Sequence, residues 1–233
     1  MNVEREERVS AMYRKEINSS AACFALPDGY EEQCRIDLQK DRRLALLVNG
    51  LALAAFFIGG IIGHQFVPLH TFYSMSEGIL LYFVRLAAAF GGTVLYVFLH
   101  EFVHGSFIKH YSGRKAQYGF TGLYAYAGSK AYFNKKQYCV IALAPIVVWG
   151  LFLTAVLIFV PKNWFWAVYF IQLVNLSGAA GDLYVVWKFS GMRGDILIRD
   201  SGTDMTVYAP AQEAGIEQDS RQKFSGGYDY GSI

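Results

Sequence analysis

Four long apolar runs constrain the fold of this chain more than any other feature. They lie at about residues 44–63, 79–104, 140–160 and 164–187. Each is close to the roughly 20 residues that a helix needs to cross the ~30 Å hydrocarbon core of a bilayer. Of the 233 residues, 54% are hydrophobic and 16% are aromatic. This hydrophobic fraction is higher than that of an ordinary soluble domain. The runs therefore predict an all-α, multi-pass membrane protein with about four transmembrane helices, whose core spans residues 44–187.

Lysine and arginine residues predict the orientation of these helices. The connections between the first and second runs and between the third and fourth hold one basic residue, Lys162. The others flank the opposite ends of the runs: Lys40, Arg42, Arg43, Lys109, Arg114, Lys115, Lys130, Lys135, Lys136, Lys188, Arg193 and Arg199. Because basic residues are enriched in cytosolic loops, we expect both termini in the cytosol. The start of the chain is charged and resembles no cleavable signal peptide, so we expect residues 1–43 to form a cytosolic amino-terminal segment.

The motif His100-Glu101-Phe102-Val103-His104 lies toward the cytosolic end of the second run. Two imidazoles four residues apart face the same side of a helix and can share one Zn²⁺, while the glutamate can act as a general base. Ionisable groups in a spanning helix are costly and usually functional. The motif therefore predicts a metal site, with His100 and His104 as ligands and Glu101 as the catalytic residue. A chance occurrence at a solvated helix end is the alternative.

A catalytic zinc site needs a third protein ligand, and Asp182 is the best candidate. Antiparallel threading brings the cytosolic ends of the second and fourth runs to the same depth, so Asp182 can approach the two histidines. His110 is a weaker candidate, because position 107 holds phenylalanine rather than a glycine that would turn the chain back. A continuous helix would carry His110 about 15 Å beyond His100, although a break at Gly105 would keep it within reach.

Three residues near Asp182 extend this hypothesis. Gly178 and Gly181 provide a small surface that lets two membrane helices approach closely, and ordinary helix packing would explain them equally well. Asn175 stands seven residues before Asp182, which is two turns along nearly the same helix face. We therefore predict that Asn175 is a substrate-binding residue whose amide bonds a peptide carbonyl.

The segments on the cytosolic side predict two β-hairpins. Residues 113–137 are rich in aromatic and small residues but broken by glycines, which favours a re-entrant or interfacial hairpin over a spanning helix. Its edge strand could bind an extended peptide, and an interfacial loop with no role in substrate binding is the alternative. Residues 188–210 predict a short cytosolic hairpin, and residues 211–233 predict a disordered tail.

Two other features limit the function. Arg85 is the one basic residue well inside a run, about 22 Å from His100 along a helix, so we expect it to snorkel to the outer surface. A role in substrate binding or gating is the alternative. Cys23, Cys34 and Cys139 form no Cys-x-x-Cys pair and are expected to be reduced. The net charge of +2, without a basic block interleaved with aromatic residues, argues against binding to nucleic acid.

These motifs together carry a resemblance to a known family. Their order resembles a bacterial family of unknown function known as the putative zincin peptidase family, and distantly the site-two-protease-like intramembrane zinc metalloproteases. The residues that carry it are Leu26-Pro-Asp-Gly-Tyr30, Ile36-Asp-Leu-Gln-Lys40, HEFVH, Asn175 to Gly181-Asp182, and Gly194-Asp-Ile-Leu-Ile-Arg-Asp200. The likeness spans about residues 24–209. In the site-two pattern a proline stands where this chain has Gly178, and the aspartate comes one residue later.

The resemblance implies a zinc-dependent HExxH metalloprotease in the bacterial cytoplasmic membrane. It implies that Zn²⁺ is held by His100, His104 and Asp182, and that Glu101 takes a proton from water and returns it to the leaving amine. The expected substrate is a membrane protein or peptide, cut by intramembrane proteolysis near the cytosolic face.

Two alternatives and the question of partners stay open. The chain could be a non-proteolytic membrane scaffold or sensor with a structural or degenerate zinc site, or a zinc hydrolase acting on lipid or an isoprenoid-linked peptide. We expect no separate PDZ-like domain. Substrate selection then falls to the membrane core in the lipid bilayer, to the short cytosolic segments, or to a partner, either an accessory protein or a homo-oligomer.

Overall fold

The computed structural model describes residues 22–37, 39–122, 124–192 and 195–211. The described helices are α1 (Arg42–Phe66), α2 (His70–Tyr73), α3 (Ile79–Ser112), α4 (Lys135–Phe159), α5 (Phe165–Gly178) and α6 (Ala180–Ser190). The described strands are β1 (Tyr30–Ile36), β2 (Gln117–Phe120), β3 (Ala125–Gly128), β4 (Tyr132–Asn134), β5 (Leu197–Asp200) and β6 (Met205–Pro210). Apart from Ala211, the tail predicted to be disordered lies outside the described residues.

Three helices, α1, α3 and α4, are long and apolar enough to cross a membrane. The chain is mostly helical, as predicted, but the fourth apolar run does not form one spanning helix. It divides into α5, with 14 residues, and α6, with 11 residues. Each is shorter than the roughly 20 residues that a single spanning helix needs. A count of four continuous spanning helices is therefore not confirmed.

The division falls at Ala179, between two glycines. Ala179 is fully buried and has φ −75° and ψ 5°, outside the helical range of its neighbours. Glycine weakens a helix because its backbone loses more conformational entropy on folding than that of other residues, so the Gly-Ala-Ala-Gly segment is a favourable place for a break. The break puts Asp182 in the first turn of α6, where the helix dipole favours a carboxylate.

Helix α5 lies at the centre of the bundle and contacts α1, α3 and α4. Glycines on the outer helices allow the close approach: a Cβ on Gly92 would lie 2.6 Å from the Ile171 Cδ1 atom, and one on Gly63 would overlap the Tyr169 ring. Gly178 does not have this role, because a Cβ there would meet no atom within 4 Å. The small packing surface therefore lies on α1 and α3, and the expectation that Gly178 provides it is corrected.

Four strands form an antiparallel sheet in the order β1-β6-β5-β4. Its central pair, β5 and β6, is the hairpin predicted after the fourth run. The flanking strands were not predicted from sequence, so the chain is not all-α. Strand β1 joins from the amino-terminal segment, with Tyr30 opposite Pro210, and β4 joins from the segment before α4, with Phe133 opposite Ile198.

The hairpin predicted within residues 113–137 is present as β2 and β3, paired with Tyr118 opposite Ala127. It packs on α3 where Gly105 leaves room, since a Cβ on Gly105 would overlap the Tyr118 hydroxyl. Beyond β3, the Ser129 N–H donates to the Asp200 carbonyl at 2.7 Å. The hairpin is therefore held between α3 and the four-stranded sheet.

Two apolar clusters define the ends of the bundle. At the end that we name the sheet end, residues of both sheets pack with α3, α4 and α6 around fully buried Phe133, Phe189 and Ile198. At the opposite end, named the loop end, Trp166 and Leu173 of α5 pack against Val67. The Trp166 indole N–H donates to the Val67 carbonyl at 3.0 Å, which fixes the connection after α1 to α5.

Arg85 lies at the loop end, but it does not extend to the surface as expected. Its side chain is 1% exposed, and its guanidinium lies 3.5 Å from the Glu77 carboxylate. It donates to backbone carbonyls of three separate residues, Thr71, Ser74 and Asn163, at 3.0–3.3 Å. Carbonyl groups of the two loops therefore take the place of the water that a snorkelling arginine would reach.

Candidate metal centre

Helix α3 brings the side chains of His100, Glu101 and His104 together near the sheet end. The Nε2 atoms of His100 and His104 are 3.2 Å apart, and the ligand atoms of both histidines and Glu101 lie within 4.8 Å of one another. His104 is buried, whereas His100 and Glu101 are partly exposed. One helical turn thus supplies two imidazole nitrogens and one carboxylate to the same point.

Asp182 approaches both histidines from α6. Its Oδ2 lies 3.4 Å from the His100 Nε2, and its Oδ1 lies 3.6 Å from the His104 Nε2. Ligand atoms bound at about 2.0–2.1 Å to one tetrahedral Zn²⁺ are about 3.3 Å apart. The separations of the three donors match this value, and two imidazoles with one carboxylate are a ligand set that zinc accepts. The residues that were predicted to hold Zn²⁺ therefore fit it.

His110 is not brought to this point. Helix α3 continues through Gly105 to Ser112, so the chain does not turn back after His104. His110 is exposed in the last turn of this helix, where its ring packs against Tyr111. The break that a third histidine ligand would require is absent from the described helix.

Each histidine is also held through its other ring nitrogen. The His104 Nδ1 lies 2.9 Å from the Ile141 carbonyl of α4, and the His100 Nδ1 lies 2.8 Å from the Tyr96 hydroxyl. Such partners fix the orientation of metal-binding imidazoles. Sequence reasoning missed both. Tyr96 could have been found, because it stands four residues before His100 on the same helix face, whereas the Ile141 carbonyl has no side-chain signal.

Asn175 lies on the side of His100 that faces away from the cavity. Its side chain is fully buried, and its Oδ1 accepts from the Tyr96 hydroxyl at 2.9 Å. It does not line the cavity above the histidines. The break at Ala179 separates the helix phase of Asn175 from that of Asp182, so the two side chains do not share a face as a continuous helix predicted.

A cavity of about 260 Å³ opens over the candidate ligands and Glu101. The hairpin forms one wall, with Tyr124 and Tyr126. The β5–β6 turn and the strand ends beside it form another, with Asp200, Gly202, Thr203, Asp204 and Met205. Gly178 and Gly181 also line it, so their lack of side chains leaves space beside Asp182. The Glu101 carboxylate faces the backbone N–H of Ala127 in β3.

Asp200 is a cavity residue that sequence reasoning did not single out. Its carboxylate accepts from the Tyr138 hydroxyl and from the Gly202 N–H. Burial raises the pKa of the Asp200 carboxyl, although these two hydrogen bonds act in the opposite direction. Asp200 therefore connects the β5–β6 turn to α4 and holds one wall of the cavity in place.

Comparison with known proteins agrees with the motif. Residues 93–197 match the model of a family described as putative zincin peptidase. The match contains the HEFVH helix end, the hairpin, α4, α5 and Asp182. No curated protein and no solved structure matches the chain. The resemblance to the putative zincin peptidase family is therefore confirmed over residues 93–197.

Proposed function

We propose that this protein is an integral-membrane zinc metallopeptidase that hydrolyses a peptide bond in or near a membrane segment. The observation that carries the proposal is the arrangement of His100, His104 and Asp182 at 3.2–3.6 Å from one another. Glu101 stands beside them, and a cavity opens above them. The family match and the three apolar helices support the same conclusion.

The open side of the site favours catalysis over a structural role for zinc. Structural zinc sites are closed by four protein ligands, whereas catalytic sites keep one position for water or substrate. Here three donors face a cavity, and the nearby carboxylate of Glu101 is suited to move a proton, which a structural site does not require. Zn²⁺ bound here would act as a Lewis acid that acidifies water and polarises a carbonyl.

Each residue of the site has a separate role in the proposed reaction. His100 and His104 hold the metal through Nε2, and Asp182 holds it through its carboxylate. Glu101 takes the proton from the attacking water, and the protonated Glu101 then gives this proton to the amine as the peptide bond breaks. Its partial exposure to the cavity allows Glu101 to reach both water and the leaving group.

The walls of the cavity suggest how a peptide would bind. Strand β3 pairs with β2 on one edge, and its other edge faces α3 and Glu101. An extended peptide can add to such an edge through main-chain hydrogen bonds. We propose that a membrane segment unwinds to bind there, with its scissile carbonyl above His100 and His104. In the orientation favoured by the basic residues, cleavage takes place near the cytosolic face of a bacterial membrane.

A cleavage assay with a matched control tests this proposal. Purified protein is incubated with a panel of quenched fluorescent membrane peptides, with chelator, and with chelator followed by added Zn²⁺. We expect about one zinc per chain by elemental analysis, cleavage that stops with chelator and returns with zinc, and no cleavage by Glu101→Gln. Exposed Glu31 of β1 provides the control Glu31→Gln, which should cleave normally. The proposal would be contradicted if Glu101→Gln cleaved the peptides at the wild-type rate, or if the purified protein bound no zinc.

A further inference from the structure

A histidine that binds zinc through Nε2 must carry its proton on Nδ1. We propose that Pro145, together with the Tyr96–Asn175 pair, holds the two histidines in this tautomer, and that all three are positioning residues of the metal centre. The inference rests on the zinc site of the proposed function. It adds Tyr96 and Pro145, which belong to no motif, and it gives Asn175 a role other than the substrate binding predicted from the sequence. None of the three lines the cavity.

Pro145 acts on His104 through a backbone carbonyl. Helix α4 runs without interruption from Lys135 to Phe159 and contains Pro145. Proline has no N–H, so the carbonyl four residues earlier loses its helical donor. That carbonyl belongs to Ile141, and it lies 2.9 Å from the His104 Nδ1. Because a carbonyl can only accept, Nδ1 must carry the proton, and the Nε2 lone pair of His104 is left for the metal.

His100 is held through a chain of side chains whose direction can be worked out. The Asn175 amide nitrogen faces the carbonyl of Ile146 and the Oε1 of Gln172, each at 3.4 Å. Since the Ile146 carbonyl only accepts, the NH₂ group must point to it, which leaves Oδ1 facing the Tyr96 hydroxyl at 2.9 Å.

The Tyr96 hydroxyl has one proton, and Asn175 accepts it. The Tyr96 oxygen can therefore only accept from the His100 Nδ1, which lies 2.8 Å away. This places the His100 proton on Nδ1 and leaves its Nε2 lone pair facing Asp182. Both histidines therefore have the same tautomer, but different partners fix it. A carbonyl of α4 fixes that of His104, and Asn175 of α5, through Tyr96, fixes that of His100.

These partners lie on the side of the histidines away from the cavity. Tyr96 is 4% exposed and Asn175 is 0% exposed, and neither they nor Pro145 line the cavity. These residues can therefore affect metal binding only through the two histidine ligands. Loss of such partners typically lowers metal affinity by roughly 10–100-fold, so zinc affinity, rather than cleavage, is the direct measurement.

Pro145→Ala separates positioning from simple packing, because the two roles predict opposite effects. Alanine restores an N–H that can pair with the Ile141 carbonyl in the helix and so competes with His104, while it removes a residue that disfavours helix interiors. We expect zinc affinity, measured by competition with a chelator, to fall at least about tenfold. The metal-free protein should unfold at the same or a higher temperature. Val147→Ala, at a 52% exposed position of the same helix, should change neither quantity.

Tyr96→Phe tests the second route, since it removes the hydroxyl and keeps the ring. We expect a loss of zinc affinity of similar size, about tenfold, with Tyr82→Phe in the same helix as the unchanged control. Wild-type zinc affinity in Pro145→Ala and in Tyr96→Phe would overturn the inference. In Pro145→Ala, a fall in zinc affinity together with a lower unfolding temperature of the metal-free protein would also overturn the inference, because that pattern indicates a packing role.

A readout without metal distinguishes this inference from the proposed function. The ¹⁵N spectrum of metal-free protein with labelled histidine reports which ring nitrogen carries the proton, provided that it is recorded at a pH high enough for the His104 imidazole to be neutral. We expect Nδ1 protonation of His104 in the wild type and a shift of the proton toward Nε2 in Pro145→Ala. If the wild type binds no zinc, the proposed function fails, and this spectrum alone decides the inference. A wild-type His104 protonated on Nε2 would overturn it.

Discussion

At the scale of single residues, the candidate site joins two helices that are far apart in sequence. His100 and His104 belong to α3, and Asp182 belongs to α6. A metal bound by all three would link the helices, and metal binding by a folded state adds to its stability. Zinc should therefore fix the position of α6 relative to α3 as well as supply chemistry.

Removal of Asp182 tests this link. In Asp182→Ala we expect zinc affinity to fall by a factor of about 10–100 or more, since one of three protein ligands is lost. Added Zn²⁺ at the same concentration should raise the thermal unfolding temperature of the wild type more than that of the variant. Calorimetry in detergent, with and without zinc, measures both. Asp28→Asn at an exposed position is the control, and a variant that keeps wild-type zinc affinity would exclude Asp182 as a ligand.

The sequence predicted the donors of this site better than their surroundings. HEFVH fixes the spacing of two imidazoles through helix geometry alone, and antiparallel threading was enough to bring Asp182 to the same depth. The place of Asn175 could not be predicted, because its helix phase depends on the break at Ala179. The Ile141 carbonyl could not be predicted either, since any residue type has the same backbone group, and only the fold brings it to His104.

At the scale of secondary-structure elements, one of the contacts that position the hairpin on α3 involves a glycine. The Tyr118 ring lies over Gly105, and the hairpin in turn brings Tyr124, Tyr126 and Ala127 to the cavity. The contact depends on the missing side chain of Gly105. The position of a wall of the cavity is therefore sensitive to a single methyl group.

Gly105→Ala tests the role of the hairpin. The added Cβ would overlap the Tyr118 hydroxyl, so the Tyr118 ring must move, and we expect the hairpin that carries it to shift with it. Because a misplacement of about 1 Å can lower activity by roughly 100-fold, we expect at least tenfold slower peptide cleavage, with zinc content assayed in parallel.

Gly91→Ala in the same helix is the matched control for this substitution. A Cβ there would meet no atom within 4 Å, so cleavage should be unchanged. Equal rates for the two alanine variants would show that the hairpin does not position the substrate.

Some strands could be predicted from the sequence and others could not. The β5–β6 hairpin is local, and its alternation around Ser201-Gly202 is visible in the sequence. Strand β1 is mostly polar and exposed, and it becomes a strand because it pairs with β6 at the other end of the described chain. Strand β4 has only three residues. Pairing over such distances leaves no local pattern, which explains why both strands were missed.

At the scale of the whole molecule, Arg85 holds the loop end together. Its guanidinium joins α3 to both loops of that end through three carbonyls and Glu77. In Arg85→Met the partly buried carbonyls lose their donor, and an unsatisfied polar group costs up to about 1–3 kcal/mol when it is fully buried. We expect a lower unfolding temperature in detergent. Lys162→Met at an exposed position nearby should have no such effect, and an unchanged temperature for Arg85→Met would contradict this role.

The orientation of the bundle gives another prediction for the whole molecule. In a cysteine-free background, Lys162→Cys at the loop end should react with an impermeant maleimide on intact spheroplasts. Lys130→Cys, in the segment that joins the two sheets, should react only after the membrane is opened. Both lysines are exposed, so burial does not confound the comparison. Labelling of Lys130→Cys on intact spheroplasts would reverse the orientation that we propose.

The pairing of β1 with β6 also has a consequence for biosynthesis. The turn between β5 and β6 lines the cavity with Gly202, Thr203 and Asp204, and β6, which follows it, pairs with β1 near the beginning of the described chain. A ribosome makes all the candidate metal ligands before it makes this wall. If the protein is the membrane peptidase proposed above, its nascent chain would enter the membrane with the ligands made but the cavity incomplete. The cavity would take shape only after translation has passed Pro210, so cleavage would start only when synthesis of the described residues is nearly finished.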